Sequence, residues 1–348
     1  MNSQDQLRAG IVGCGYQGRL LAQAIARTSR LRVVACADPV REAAAAVATL
    51  AGQSEVYASA DEMLDKSEID AVIIATPHHV LHEIALAAIH AGKHVLAEKP
   101  IATSEQEAAR IEKAAAQAGI CYMAGYSLRF FVAQKHVYDL LAEGVIGEVQ
   151  AVMAGIGQGP LGDWFAKPEM GGGALLYLGS HLVDEVLWFV QDDPIQVYAD
   201  IRHRADAGTD ETSAFQIRFA GGAVAQCLVT QAVEGWFDFV NIYGREGRIG
   251  LASSNWLQYE ISVCSRVLPT YAEPTTICPG LRGDPCMMML VPEVEEFADA
   301  IQENRPPAVT VAHGRQVLRV LDAVVDSGQM GNPIALDIPK SIGSLRVG

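Results

Sequence analysis

Short apolar runs and helix-periodic stretches alternate through the first third of the chain. Residues 9–12 form an apolar run that ends in glycines. Across residues 18–27, Leu20, Leu21, Ala24 and Ile25 recur at the spacing of one helix face. Residues 31–36 predict a second strand and 39–50 a second helix. Residues 71–75 are uniformly apolar, the pattern of a strand covered on both faces. A helix over 80–90 follows, which Gly92 can end, and then a strand over 94–97. Thr103 with Gln106 predicts a capping box that opens a helix to Ala118; Gly119 stops it, and 120–124 is the last strand. Strands separated by helices in this way predict a doubly wound parallel sheet with right-handed crossovers. Ligands of such sheets collect beyond the carboxyl ends of the strands.

After Gly125 the pattern changes. A helix is expected over 131–141, and strands begin at 149–155. Extended runs separated by turns continue from residue 195. Phe215, Ile217 and Phe219 face one way, Gln216 and Arg218 the other. Gly221 and Gly222 turn the chain into 223–231, and further strands fit 237–243, 248–251 and 257–263. Helices at about 293–303 and 313–327 close the chain. The second part therefore predicts an α+β unit with a large, mostly antiparallel open sheet. An apolar sheet face of that size must be covered, so a homo-oligomer is expected.

The 348 residues exceed one ordinary core, and half are hydrophobic. Apolar runs break well before the ~20 residues that span a bilayer. Met1 to Arg8 is polar and lacks a signal-peptide pattern, so a cytoplasmic protein is expected. The formal charge of −15 argues against nucleic acid and anionic membrane as partners. Seven scattered cysteines without a Cys-x-x-Cys pair predict buried free thiols in a reducing compartment.

Gly13-Cys14-Gly15-Tyr16-Gln17-Gly18 is a G-x-G-x-x-G between a strand and a helix, and Asp38 follows 20 residues after Gly18. Gly13 permits the tight turn, Gly15 admits a pyrophosphate against the backbone, and Gly18 lets helix and strand pack. The helix N-terminus offers free N–H groups and a positive dipole end. Asp38 can accept from ribose hydroxyls and repels a 2′-phosphate, so NAD is expected over NADP. A Rossmann domain over 1–125 and a substrate-binding and oligomerisation domain over 126–348 are the expected division.

Residues 75–82, Ala-Thr-Pro-His-His-Val-Leu-His, and 91–100, Ala-Gly-Lys-His-Val-Leu-Ala-Glu-Lys-Pro, resemble the Gfo/Idh/MocA oxidoreductases, which include glucose–fructose oxidoreductase and inositol dehydrogenase. The resemblance continues at 125–130, at Gly171 to Gly173 through His181 and Asp184, and at 243–247. It implies a cofactor site holding Gly13, Gly15, Tyr16, Gln17, Gly18, Asp38, Thr76, Pro77, His79, His82, Glu98 and Lys99. His78 stands where the family more often has Asn. The resemblance implies a catalytic Lys99, and a reacting hydroxyl met by His181 as base or hydrogen-bond partner. Lys99 also ends a parallel strand, where desolvation can bring its pKa toward neutrality. Tyr177, His181 and Asp184 share a face of the helix starting near Ala174. Tyr177 occupies a position where many polyol dehydrogenases of the family carry Asp; a phenol does not accept as a carboxylate does near neutral pH. Tyr126, Arg129 and Trp164 complete the expected substrate contacts. His78, His79, His82, His90 and His94 lack supporting Cys or carboxylate ligands, and hydride transfer needs no metal, so none is expected.

The expected activity is hydride transfer between NAD and a secondary alcohol or ketone of a sugar, cyclitol or related polyol, by a homodimer or homotetramer joined through the second sheet. Two alternatives are an NAD-retaining glycosidase or lyase working by transient oxidation and elimination, and a catalytically silent NAD-binding regulator.

Overall fold

The computed structural model describes residues 6–337 apart from 207, 256–257 and 281–282. Its first sheet contains β1 (Leu7–Val12), β2 (Leu31–Ala37), β3 (Glu55–Tyr57), β4 (Ala71–Ile74), β5 (His94–Glu98) and β6 (Tyr122–Gly125). The order is β3-β2-β1-β4-β5-β6, and every pairing is parallel. Between the strands run α1 (Tyr16–Ile25), α2 (Arg41–Leu50), α3 (Ala60–Lys66), α4 (His78–His90) and α5 (Glu105–Ala118). All four residues of β4 are buried, which explains its unbroken apolarity. Strand order reverses between β1 and β4. The turns after these two strands therefore open onto one crevice.

Two local readings change. Residues 51–70, where the sequence pattern assigned no element, hold β3 and α3; the three residues of β3 are too few to show a period. Ser59 caps α3 by accepting from the Glu62 N–H at 3.2 Å. The cap of α5 sits one residue later than Thr103–Gln106: Ser104 Oγ accepts from the Glu107 N–H. The Glu107 carboxylate reaches back to the Thr103 N–H at 2.9 Å and its hydroxyl at 2.8 Å. An ionised carboxylate is a stronger acceptor than the Gln106 amide, and this sets the register.

The chain then passes α6 (Val132–Ala142), β7 (Val149–Gly157), one π turn (Leu175–Gly179) and α7 (Ser180–Val190). Strands β8 (Pro194–His203), β9 (Asp210–Phe219), β10 (Val224–Thr230), β11 (Phe237–Gly244), β12 (Gly247–Ser253), β13 (Glu260–Ser265) and β14 (Thr275–Ile277) follow. Leu257, expected to begin a strand, lies outside the described residues. Helices α8 (Pro285–Gln302) and α9 (Val311–Met330) precede β15 (Ile334–Ala335). The second sheet runs β14-β13-β12-β11-β7-β10-β9-β8-β15, antiparallel except where β7 meets β10. Phe215, Ile217 and Phe219 are buried while Arg218 is exposed, as the alternation predicts. The open face of this sheet exposes Met153, Tyr198, Leu228 and Tyr243.

Helix α8 begins at Pro285, well before the expected 293, because Asp284 accepts from the Cys286 N–H at 3.0 Å and Pro285 needs no donor at the first position. Pro292, inside the helix, hides that start from a reading of the sequence. Both C-terminal helices return to the first sheet. α8 packs on α1, and α9 lies against α5 and β8. Arg315 bonds Glu105 at 2.6 Å and Glu112 at 2.7 Å, and the Ala124 N–H donates to the Val309 carbonyl at 2.9 Å. The stretch Pro168–Val190 is apolar enough by composition to cross a membrane, yet 72% of that window is buried inside the protein. It is a core segment, and it carries Tyr177 and His181.

Candidate active site

The turn after β1 is shaped by its glycines. Gly13 has φ +88°, and a Cβ there would lie 2.5 Å from the Ala75 carbonyl oxygen. A Cβ on Gly18 would lie 2.0 Å from the Gly13 carbonyl oxygen. A Cβ on Gly15 would meet no protein atom within 4 Å. The backbone is thus bare where α1 begins, and Gly15 supplies no side-chain cap to its first N–H groups. Asp38 fixes the neighbouring wall: its carboxylate accepts from the Cys14 N–H at 2.7 Å and the Val40 N–H at 2.8 Å. This cradle fits the pyrophosphate and ribose of a dinucleotide.

The other end of the cleft is built by the turn after β4, the end of β5 and the π turn. Pro77 is the N-cap of α4. Buried His78 is bound through Nδ1 to the Gly171 carbonyl at 2.8 Å, and burial with the nearby Lys99 cation pulls its pKa down to about 3. Gln17 Nε2 donates to Glu98 Oε1 at 2.6 Å, joining α1 to β5. The Lys99–Pro100 peptide is cis. The Lys99 ammonium donates to the Tyr177 carbonyl at 2.9 Å and lies 4.5 Å from the centre of the Tyr177 ring. Burial brings its pKa down to about 8 against the opposing pull of Glu98. Burial, and secondarily the Lys99 charge, holds His181 neutral with its pKa well below the usual value. Burial, then Glu98 and Tyr16, raises the Tyr177 phenol, which stays protonated. The arrangement sets an amine poised near neutral pH beside an uncharged imidazole.

Both ends open into one cleft of about 1150 Å³. Its wall unites Gly13, Gly15, Tyr16, Gln17, Asp38, Thr76, Pro77, His79, Glu98, Lys99, Trp164, Tyr177 and His181. Five expected residues stand outside it. Gly18 packs against the Gly13 backbone, and His82 Nδ1 lies 3.5 Å from Glu107. Tyr126 is wholly buried in the core. Arg129 and Asp184 are consumed by each other in a buried two-bonded pair at 2.9 and 2.7 Å. That pair ties the segment after β6 to α7, so these two residues are structural where substrate contacts were expected.

Other residues were missed. Phe165, Trp236 and Tyr259 line the same cleft. Asp210 opens β9 and accepts from the Leu175 N–H at 2.6 Å, at the start of the turn that carries Tyr177. Gly173 has φ +120°, and a Cβ there would sit 2.1 Å from Asp210 Oδ1. The triple glycine was the one signal that a side chain from elsewhere must approach this turn.

A parallel sheet with a bare glycine turn at its switch point, sharing a cleft with a buried lysine and a histidine from a second sheet's helix, defines a two-part nucleotide-dependent oxidoreductase. Residues 7–126 match the oxidoreductase family with an NAD-binding Rossmann fold, GFO/IDH/MocA, and residues 135–250 match the GFO/IDH/MocA C-terminal domain. The chain belongs to this family. It is 32% identical to 1,5-anhydro-D-fructose reductase of Ensifer adhaerens over 252 residues, covering 70% of this chain and 74% of the relative. It is 26% identical to levoglucosan dehydrogenase of Pseudarthrobacter phenanthrenivorans, covering 93% and 96% of the two chains. Among solved structures, GenD2 from gentamicin A biosynthesis in complex with NAD has a TM-score of 0.84 at 26% identity, covering 96% and 97%.

Proposed function

We propose that the protein oxidises a secondary alcohol of a sugar or related ring polyol, or reduces the corresponding ketone, using NAD. The observation that carries this reading is the shared cleft. One cavity joins the glycine turn to Lys99 and His181. NAD, when bound, supplies the hydride acceptor. Gly13, Gly15 and the start of α1 hold its pyrophosphate, and Asp38 receives ribose hydroxyls. The fixed Asp38 carboxylate also disfavours a 2′-phosphate, which supports NAD over NADP. Glu98, Thr76, Pro77 and His79 lie on the wall toward the reacting end. In its neutral form, Lys99 takes the hydroxyl proton, and in the reverse direction its ammonium returns it. His181 accepts or donates the second hydrogen bond that orients the substrate oxygen. Tyr177, protonated, acts as a donor and as a wall. The relatives 1,5-anhydro-D-fructose reductase and levoglucosan dehydrogenase support a ring polyol as substrate.

The same reading divides the chain into a cofactor domain over 1–125 and a substrate domain over 126–348. Exposed Met153, Tyr198, Leu228 and Tyr243 support self-association through the second sheet. Seven free thiols support a reducing, cytoplasmic setting. The test is NADH formation across a panel of neutral and anionic sugars, anhydro sugars and cyclitols, by the wild type and Lys99→Ala. The wild type turns over at least one, and the variant falls at least 100-fold. A variant as active as the wild type overturns the assignment of Lys99.

A further inference from the structure

We infer that the reacting molecule is an electrically neutral ring polyol, carrying neither carboxylate nor phosphate. This rests on the proposed oxidoreductase reading and narrows its substrate.

The charge inventory of the cleft carries the inference. Among the described residues that line it, Lys99 is the only lysine or arginine, whereas Asp38, Asp61, Glu83 and Glu98 all contribute carboxyl groups. Lys99 is already engaged with the Tyr177 carbonyl at 2.9 Å and the Tyr177 ring. A substrate anion would therefore have to take its counter-ion from the group assigned to proton transfer. Two arginines from segments around the cleft are closed off. Arg129 is locked to Asp184, and Arg204, which donates to the Leu161 carbonyl, is paired with Asp206 at 2.8 Å. At the reacting end, away from the bare backbone N–H groups at the start of α1 that suit a pyrophosphate, a desolvated substrate carboxylate or phosphate without a paired cation is strongly disfavoured.

The remaining surface at this end is aromatic. The Trp164 and Phe165 rings stack at 3.8 Å between centroids. His78 meets Trp164 edge-on at 4.8 Å, and Tyr177 meets Phe165 edge-on at 4.7 Å. His78 and Tyr177 thus brace the stacked pair, which gives this end of the cleft an uncharged aromatic wall. Polar recognition is left to uncharged groups. The indole N–H of Trp236 and Nδ1 of His181 are buried and make no hydrogen bond within the described residues.

The experiment uses the intact protein loaded with cofactor at pH 8. NADH formation is compared for D-glucose, 1,5-anhydro-D-glucitol and myo-inositol against D-glucuronate, D-glucose 6-phosphate and a UDP-linked uronic acid. In parallel, quenching of tryptophan fluorescence in the NADH complex is titrated with the same six compounds. The expected result is that a neutral compound has the highest kcat/KM and binds at least tenfold more tightly than any anion. An anion that is turned over faster, or that binds as tightly, overturns the inference while leaving the oxidoreductase reading intact. Selective binding of neutral compounds without turnover of any of them sustains the inference and counts against the proposed activity. Failure of all six to bind overturns the inference.

Discussion

Replacing Lys99 by Met keeps an unbranched chain shorter by one atom and removes its charge, so stability and activity should move in opposite directions. Burial displaces the Lys99 ammonium from 10.5 to about 8. Holding the charged form in the fold therefore costs about 3 kcal/mol. Between these two values the unfolded chain binds the proton and the folded chain does not. Wild-type stability thus climbs as pH rises from about 8 to 10.5, and the full penalty applies below about 8. Met escapes that penalty but loses the donor to the Tyr177 carbonyl, a loss of about 1 kcal/mol. The Ser180 hydroxyl, 3.3 Å from the same oxygen, still serves it. The variant should be about 2 kcal/mol more stable than the wild type at pH 7, and about equal to it at pH 10. Urea unfolding of both proteins at the two pH values measures the difference directly. NADH formation should drop at least 100-fold in the same variant. A stability difference that is the same at both pH values, or turnover within tenfold of the wild type, would refute the reasoning.

Five further outcomes follow from the geometry. Gly15→Ala should fold within about 1 kcal/mol of the wild type, because its Cβ meets no protein atom, yet weaken NAD binding at least tenfold by calorimetry. Gly18→Ala, with its Cβ 2.0 Å from a backbone oxygen, should instead lower the melting temperature by several degrees. Asp38→Ala should raise the NADP-to-NAD ratio of kcat/KM at least tenfold; an unchanged ratio would remove Asp38 from the discrimination. Tyr177→Phe should lower kcat/KM about tenfold, the worth of one neutral hydrogen bond, without moving the pH profile set by Lys99; a shifted profile would give the phenol a proton-transfer role. Asp210→Ala removes the acceptor of the Leu175 N–H and should cost about 1–2 kcal/mol, lowering kcat while NAD affinity stays unchanged.

The alternation of apolar strands with helical stretches was legible because burial on both faces leaves a continuous hydrophobic run, as in β4. The glycine turn was equally legible. The approach of Ala75 to Gly13 is tertiary, whereas Gly18 is demanded by the Gly13 carbonyl five residues away and Gly13 by its own φ of +88°, so both these constraints are written locally. The same holds for the Phe215–Phe219 alternation. Spacing placed Tyr177 and His181 on one helix from Ala174; in the structure Tyr177 lies in the π turn and His181 in α7, which follows it directly, and Lys99 follows the end of β5 as the run before it predicts.

What the sequence pattern left open depended on side chains that meet across long separations. Whether Arg129 faces a ligand or Asp184 is decided by how α7 packs against the segment after β6, 55 residues away. No local pattern distinguishes a guanidinium that waits for a substrate from one already paired. Asp210 reaches the glycine turn only because β9 ends beside the start of the π turn, and α8 returns to α1 only in the folded chain. The aromatic lining of the cleft is likewise tertiary: Trp164 and Phe165 precede the π turn that carries Tyr177, while Trp236 and Tyr259 come from distant parts of the second unit. Periodicity and turn chemistry record which atoms of a segment need burial or bare backbone, and these the sequence by itself determined. Pairing of charges and the shape of a cavity arise from segments distant in the chain, and only the tertiary structure decided them.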